Sequence, residues 1–189
     1  MLNSDSFIHS YAEYLLSTSY TELTPDIKAY SDQISGENVP ISELINRIST
    51  TIHNDFVYDP FATSVQTTAL EMLQIKRGVC QDYAHFMIAI CRHKGIPTRY
   101  VSGYHYVGDL QGGNADFTQA SHAWVECFIP GTGCWFGYDP TNNCQLDWRY
   151  IKLAHGRDYN DIVPVKGVYR GAAMQELEVI VDVRLLEGA

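Results

Sequence analysis

A chain of 189 residues with a hydrophobic content of 46% and an aromatic content of 12% can build one domain with a full core, and it is too apolar to be disordered. Its formal net charge of −9, with no basic cluster or stripe, argues against nucleic acid or an anionic membrane as a partner. No apolar run approaches the roughly 20 residues of a membrane helix, and Met1–Asp5 has neither the basic nor the apolar region of a signal peptide. A soluble cytoplasmic protein is expected.

Apolar residues at positions 7, 8, 11, 14 and 15 follow helical spacing and predict a helix over 5–19. Thr24-Pro25-Asp26 places an N-cap before a proline at the first helical position, opening a short helix to about Ile34 that Gly36 breaks. After Pro40, the residues Ile41, Leu44, Ile45, Ile48 and Ile52 mark an amphipathic helix ending near His53. Residues 1–55 carry no visible chemistry. They read as a helical extension packed on a core that occupies 56–189.

Phe56 to Pro60 is expected to be extended, because the residue before a proline avoids the helical region. Thr68-Ala69-Leu70-Glu71 fits a capping box for a short helix through Leu73 and Gln74. Arg77-Gly78-Val79-Cys80 then reads as a glycine turn followed by a cysteine as the first residue of a helix. That helix is apolar nearly all round (Tyr83, Phe86, Met87, Ile88, Ile90, Cys91), which predicts burial in the middle of the domain. Lys94-Gly95-Ile96-Pro97 ends it.

From Thr98 the period changes to two. A strand runs to Val107, a loop spans Gly108 to Ala120, and strands Ser121–Ile129 and Cys134–Asp139 flank the turn Pro130-Gly131-Thr132-Gly133. Further strands are expected at Trp148–Ala154, Val165–Arg170 and Leu177–Leu186. Helices first and antiparallel strands second define an α+β fold.

Five cysteines, without a C-x-x-C pair, are neither a disulfide framework nor a zinc site. Cys91, Cys127 and Cys134 read as small buried packing residues. Cys80 differs, because a thiol at a helix start lies against the positive end of the macrodipole, which favours thiolate. A cysteine nucleophile needs a base and a group that orients that base. The hairpin supplies both: its turn sets Ile129 opposite Cys134, hence Asp139 opposite Trp124, with His122 one diagonal step away on the same face. Diagonal neighbours about 7–8 Å apart are within reach of imidazole and carboxylate side chains. Ala123, Val125, Cys127, Ile129, Phe136 and Tyr138 take the other, core-facing side.

These placements assign Cys80 as nucleophile of an acyl transfer, His122 as its base and then acid, and Asp139 as the orienting carboxylate; the backbone N–H of Cys80 is an oxyanion donor. Taken singly, each residue has an ordinary reading as a packed cysteine, a core histidine or a turn aspartate. His85, His93, His105 and His155 are rival bases, but no visible rule places a carboxylate beside them. Asp82 reads as a carboxylate favoured by the helix dipole. The histidines lack metal-ligand spacing, so neither a metal nor another cofactor is expected.

Gly78-Val79-Cys80-Gln81-Asp82-Tyr83-Ala84-His85, then Ser121-His122-Ala123-Trp124-Val125-Glu126, then Gly137-Tyr138-Asp139-Pro140-Thr141-Asn142 resembles the core of bacterial transglutaminase-like proteins over roughly residues 56–170. The resemblance implies a papain-like cysteine proteinase fold with a Cys-His-Asp triad, which falls on Cys80, His122 and Asp139. Many members of that family carry a β-rich N-terminal region where this chain has helices. Animal transglutaminases use an upstream tryptophan as a second oxyanion donor, whereas the first tryptophan here is Trp124; Tyr58 or Gln74 is the expected substitute. The expected function is a cysteine-dependent acyl transfer on the amide bonds of a peptide or protein substrate, with hydrolysis favoured over transglutamination. The competing reading is a non-catalytic peptide- or protein-binding module of the same fold.

Overall fold

The computed structural model describes residues 4–36, 38–106, 121–163, 166–167, 170–171, 181 and 183. The loop expected at 108–120 and the strand expected at 177–186 fall wholly or largely outside them, as does half of the strand expected at 165–170.

The first expected helix is two: α1 (Asp5–Ser10) and α2 (Ala12–Leu15), separated at Tyr11. The Tyr11 ring packs on Phe7 at 4.9 Å and on Phe128 of the sheet at 4.2 Å, so tertiary packing overrides the continuous helical pattern. α3 (Pro25–Gln33) starts as its sequence dictates, with Thr24 Oγ1 accepting from the Ile27 N–H. α4 (Ile41–Asp55) is followed by the two-residue strand β1 (Val57–Tyr58). The capping box of Thr68 and Glu71 opens α5 (Ala69–Ile75), which Lys76 closes in the left-handed conformation at φ 61°. β2 (Arg77–Gly78) runs parallel to β1, so the expected glycine turn is a short strand pairing Tyr58 with Gly78.

α6 (Cys80–His93) begins at the cysteine, and every residue from Gln81 to Arg92 is buried. It lies between α3, α4 and α5 on one side and the sheet on the other. Ile45, Ile48, Ile52 and Phe56 meet Phe86 and Met87 in one apolar cluster that continues through Tyr100, Val125 and Tyr138 of the sheet. At the far end of α6, buried Arg92 donates to the carbonyls of Tyr14, Leu16, Thr98 and Arg157 and to Thr21 Oγ1, at 2.7–3.1 Å. Burial lowers its pKa to about 10. This guanidinium ties the N-terminal segment to the first strand of the sheet.

The strands β3 (Thr98–His105), β4 (Ser121–Ile129), β5 (Cys134–Asp139), β6 (Cys144–Gln145) and β7 (Tyr150–Gly156) form an antiparallel sheet in the order β6-β5-β4-β3-β7. The β4–β5 hairpin pairs Ile129 with Cys134 and Val125 with Tyr138, around a turn with Gly131 and Gly133 at positive φ. Two residues expected in the core are not there. Cys134 and Phe136 are exposed, while Phe128 and Trp135 on the opposite face of this end of the hairpin pack on Tyr11 and Tyr14. The last long strand begins at Tyr150, not Trp148, since Asp147 first makes a turn by accepting from the Arg149 N–H.

β3 and β7 shift register between Ser102 and Gly103. A Cβ on Gly103 would lie 2.1 Å from the Ile151 carbonyl and 2.5 Å from the Trp124 ring, so only glycine permits this close approach. The sheet curls so far that Tyr150 of β7 touches Asp139 of β5, although two strands separate them in the order.

Arg92→Ala leaves several carbonyls without a donor and is expected to lower the unfolding free energy by about 3 kcal/mol or more, measured by urea denaturation. Arg149→Ala, which removes an exposed ion pair with Asp147, is expected to leave the urea midpoint unchanged.

Candidate active site

The first turn of α6 is built around Asp82. Its Oδ2 accepts from the Val79 N–H at 2.8 Å and from Thr63 Oγ1 at 2.6 Å. A Cβ on Gly78 would come within 2.6 Å of that oxygen, so the glycine before the cysteine leaves room for this cap. Burial outweighs these hydrogen bonds and raises the pKa of Asp82, contrary to the stabilised carboxylate expected from the helix dipole alone. Cys80 sits half-buried at the helix start.

The other two residues come from the hairpin. His122 Nε2–H donates to Asp139 Oδ2 at 2.7 Å. The Cys80 side chain lies close enough to the same imidazole to raise its pKa. With Nε2 committed to the carboxylate, Nδ1 is the nitrogen left for the thiol. The three residues singled out by the sequence thus meet at one place, although 80 and 122 lie on different elements.

Asp139 is fully buried and accepts from five donors. Oδ1 takes the N–H groups of Thr141 and Asn142 at 2.8 and 3.2 Å, while Oδ2 takes Asn142 Nδ2 at 2.6 Å and the Tyr150 hydroxyl at 2.8 Å besides His122. Burial alone would raise its pKa, but these bonds, His122 foremost, hold it below the ordinary value. Burial likewise disfavours a charged His122, yet the hydrogen bond to Asp139 and then the nearby Cys80 prevail and raise its pKa to about 10. The pair is therefore an imidazolium and a carboxylate.

The signs of linkage follow. His122 stabilises the fold fully below its unfolded value near 6.5, and that contribution is lost as pH rises through about 10. Asp139 contributes above its unfolded value near 3.8, and its contribution is lost as pH falls.

The turn after Asp139 is fastened by α4. His53 Nδ1–H donates to the Thr141 carbonyl at 2.9 Å, and Thr50 Oγ1 donates to Asn143 Oδ1 at 3.0 Å. An N-terminal helix without evident chemistry thus fixes the backbone donors of the buried carboxylate. Tyr150, having given its proton to Asp139, accepts from the Cys144 thiol at 3.3 Å. His105 stacks on Tyr150 at 4.2 Å, and burial, then the charge at His122, lowers its pKa.

Three of the four rival histidines are occupied elsewhere. His85 is wholly buried, its Nε2 accepts from the Tyr159 N–H, and burial pushes its pKa down to about 3. His93 pairs with Asp32 at 2.9 Å at the opposite end of α6. His155 lies near the far end of β7, its pKa lowered by burial. Of the two expected oxyanion substitutes, Tyr58 is held near the start of α6 by its pairing with Gly78, and burial, then the neighbouring Cys80, raises its pKa. Gln74 is exposed on α5 and joins none of the site's hydrogen bonds among the described residues.

Sequence reasoning missed Tyr150, Asn142, His53 and Thr50. Asn142 carried a signal, since an aspartate followed two and three residues later by free N–H groups forms an Asx turn. The others are delivered by the curl of the sheet and the docking of α4, which no local pattern encodes.

A helix-borne thiol facing a histidine–carboxylate pair on an antiparallel sheet is the architecture of papain-like cysteine proteinase folds. The chain belongs to the transglutaminase-like superfamily, whose sequence model matches residues 28–140. That match begins within α3, well ahead of the motifs themselves. The chain is similar to a candidate cysteine protease of known structure from Cytophaga hutchinsonii, at 28% identity and a TM-score of 0.69 over 86% of this chain and 51% of that one. It is also similar to the periplasmic domain of TgpA from Pseudomonas aeruginosa, at 25% identity and a TM-score of 0.53 over 75% of this chain and 51% of that one. An uncharacterized Mycobacterium leprae protein is 36% identical over 98% of this chain and 65% of its own length. A protein-glutamine gamma-glutamyltransferase of Pseudomonas aeruginosa is 31% identical over 62% of this chain and 18% of its own length. The chain thus spans less than two thirds of these relatives.

Asp139→Asn removes the main support of the imidazolium, so the His122 pKa is expected to fall from about 10 toward or below 6.5; Cys80→Ala is expected to lower it by less. Titration of the ring protons by NMR reads both shifts.

Proposed function

We propose that this protein catalyses cysteine-dependent acyl transfer from amide bonds of a peptide or protein substrate, with water as the acceptor. The observation that carries this reading is one imidazole hydrogen-bonded to a buried carboxylate and close enough to a helix-start cysteine for that thiol to shift its pKa. Cys80 attacks the amide carbonyl carbon as thiolate, and the carbonyl electron pair moves onto oxygen. The backbone N–H of Cys80, at the first position of α6, is one donor to that oxyanion, and the Tyr58 hydroxyl is the second. The imidazolium of His122 hands its proton to the departing amine, the C–N bond breaks and a thioester remains. Water then gives a proton to His122 and its oxygen to the thioester carbon. The C–S bond breaks, and thiolate and imidazolium are restored. Asp139 remains ionised throughout and keeps Nε2 protonated.

A second reading, in which a primary amine replaces water, is favoured by the similarity to a protein-glutamine gamma-glutamyltransferase. The two readings share every step as far as the thioester. They differ only in what reaches it.

Incubation with glutamine-containing peptides, with and without a primary amine, separates the readings by mass spectrometry. Cleavage or deamidation that the amine does not divert is expected, and amine incorporation would decide for the transferase. His122→Ala is expected to lower kcat/KM by about 10²–10⁴ on any substrate, and Cys80→Ala to abolish turnover. Unaltered rates in these variants would refute the triad.

A further inference from the structure

The loop between β1 and α5 combines two properties that rarely occur together. It is tightly fastened, and it holds apolar side chains in water. The Asp59 N–H donates to the Gly78 carbonyl at 3.0 Å, Thr63 Oγ1 donates to Asp82 at 2.6 Å, and Gln81 Nε2 donates to the Val65 carbonyl at 2.9 Å. These three tethers end on residues 78, 81 and 82, on both sides of Cys80. Asp59 Oδ1 also accepts from the Phe61 N–H at 3.0 Å, and Tyr20 donates to the Val65 carbonyl at 2.8 Å, so the backbone that carries these side chains is fixed.

Yet Phe61 is 95% exposed, with Val65 at 58%, Val57 at 56% and Tyr58 at 44%. A loop free to collapse would bury such residues, because exposed apolar area forgoes its transfer free energy. Within residues 57–67 the one charged side chain is Asp59, and Arg77 pairs with it at 3.2 Å. The wall is therefore apolar and electrically quiet, and the pairing of Tyr58 with Gly78 sets its start two residues from Cys80.

We infer that Phe61 and Val65 form the substrate-binding wall of the Cys80 site and select peptides with bulky apolar side chains next to the amide that is attacked. This rests on the acyl-transfer reading above and names its substrate class. The fastened loop sits directly on the first turn of α6, so a chain whose carbonyl reaches Cys80 passes along it. A neutral wall offers nothing to charged or polar residues that water does not offer better. Apolar neighbours of the scissile bond leave water by lying on it.

The test separates binding from turnover. Fluorescein-labelled peptides Gly-Xaa-Gln-Xaa-Gly, with Xaa either Phe or Ser, are titrated with the Cys80→Ala protein by fluorescence anisotropy. The Phe peptide is expected to bind at least tenfold more tightly. Adding Phe61→Ser or Val65→Ser is expected to cut that preference to below threefold; Leu153→Ser, an equally exposed apolar site on β7, leaves it intact. Both loop side chains face water, so these variants fold. Equal binding of the two peptides, no binding of either at 0.5 mM protein, or a preference unmoved by the loop variants overturns the inference. So does a dimer that dissociates in Phe61→Ser without a change in peptide preference, because the wall is then a surface for a second copy. Preferential binding without turnover by the wild-type protein refutes the acyl-transfer reading and leaves the wall standing. Turnover of both peptides at equal rates does the reverse.

Discussion

Asp139 is a carboxylate without solvent contact, and such a group stays ionised only if it is fully paired. Much of the fold can be read as meeting that constraint. The β4–β5 register supplies His122, the turn after β5 supplies two N–H groups and the Asn142 amide, and the curl of the sheet supplies Tyr150. Thr50 and His53 of α4 hold the turn from outside. The helical N-terminal region is thereby coupled to the site through a backbone that it fixes, not through a side chain that it contributes. Gly103 belongs to the same set of constraints, because the close approach of β7 that brings Tyr150 to Asp139 passes over its missing side chain.

The thiol is located by a different device. α6 is buried along its length and held at both ends, by Asp82 in its first turn and by Arg92 in its last. A helix so fastened cannot slide or rotate to relax Cys80 away from His122. The proposed acyl transfer would lose rate steeply with small displacements, and polar internal contacts do the anchoring. The segment carrying Tyr58 is tied to the same first turn through the β1–β2 pairing and the Thr63–Asp82 hydrogen bond.

What the residues reveal in advance and what they conceal divides along local and tertiary lines. Thr24, Thr68 and the Cys80 helix start are local features, and the helices begin where their caps dictate. The hairpin is also local: a four-residue turn sets the pairing, and alternation then puts His122 and Asp139 on one face. Tyr11 shows where periodicity fails, since ring packing on Phe128 outweighs helix continuity there. Cys134 and Phe136 fail for another reason, because alternation tells which face a residue takes but not what packs on that face. Tyr150 and His53 were beyond reach, as sheet curl and helix docking depend on contacts 11 and 88 residues apart.

The central claim is that Cys80, His122 and Asp139 act as one unit. The most direct measurement is the rate of alkylation by iodoacetamide at pH 7, mapped to individual cysteines by mass spectrometry, in wild type, His122→Ala and Asp139→Asn. Exposed Cys134 serves as a control thiol in the same molecule. Coupling predicts that Cys80 reacts at least about tenfold faster than Cys134 in wild type and loses most of that advantage in both variants. A Cys80 that reacts no faster than Cys134, or equally fast in all three proteins, would contradict the account.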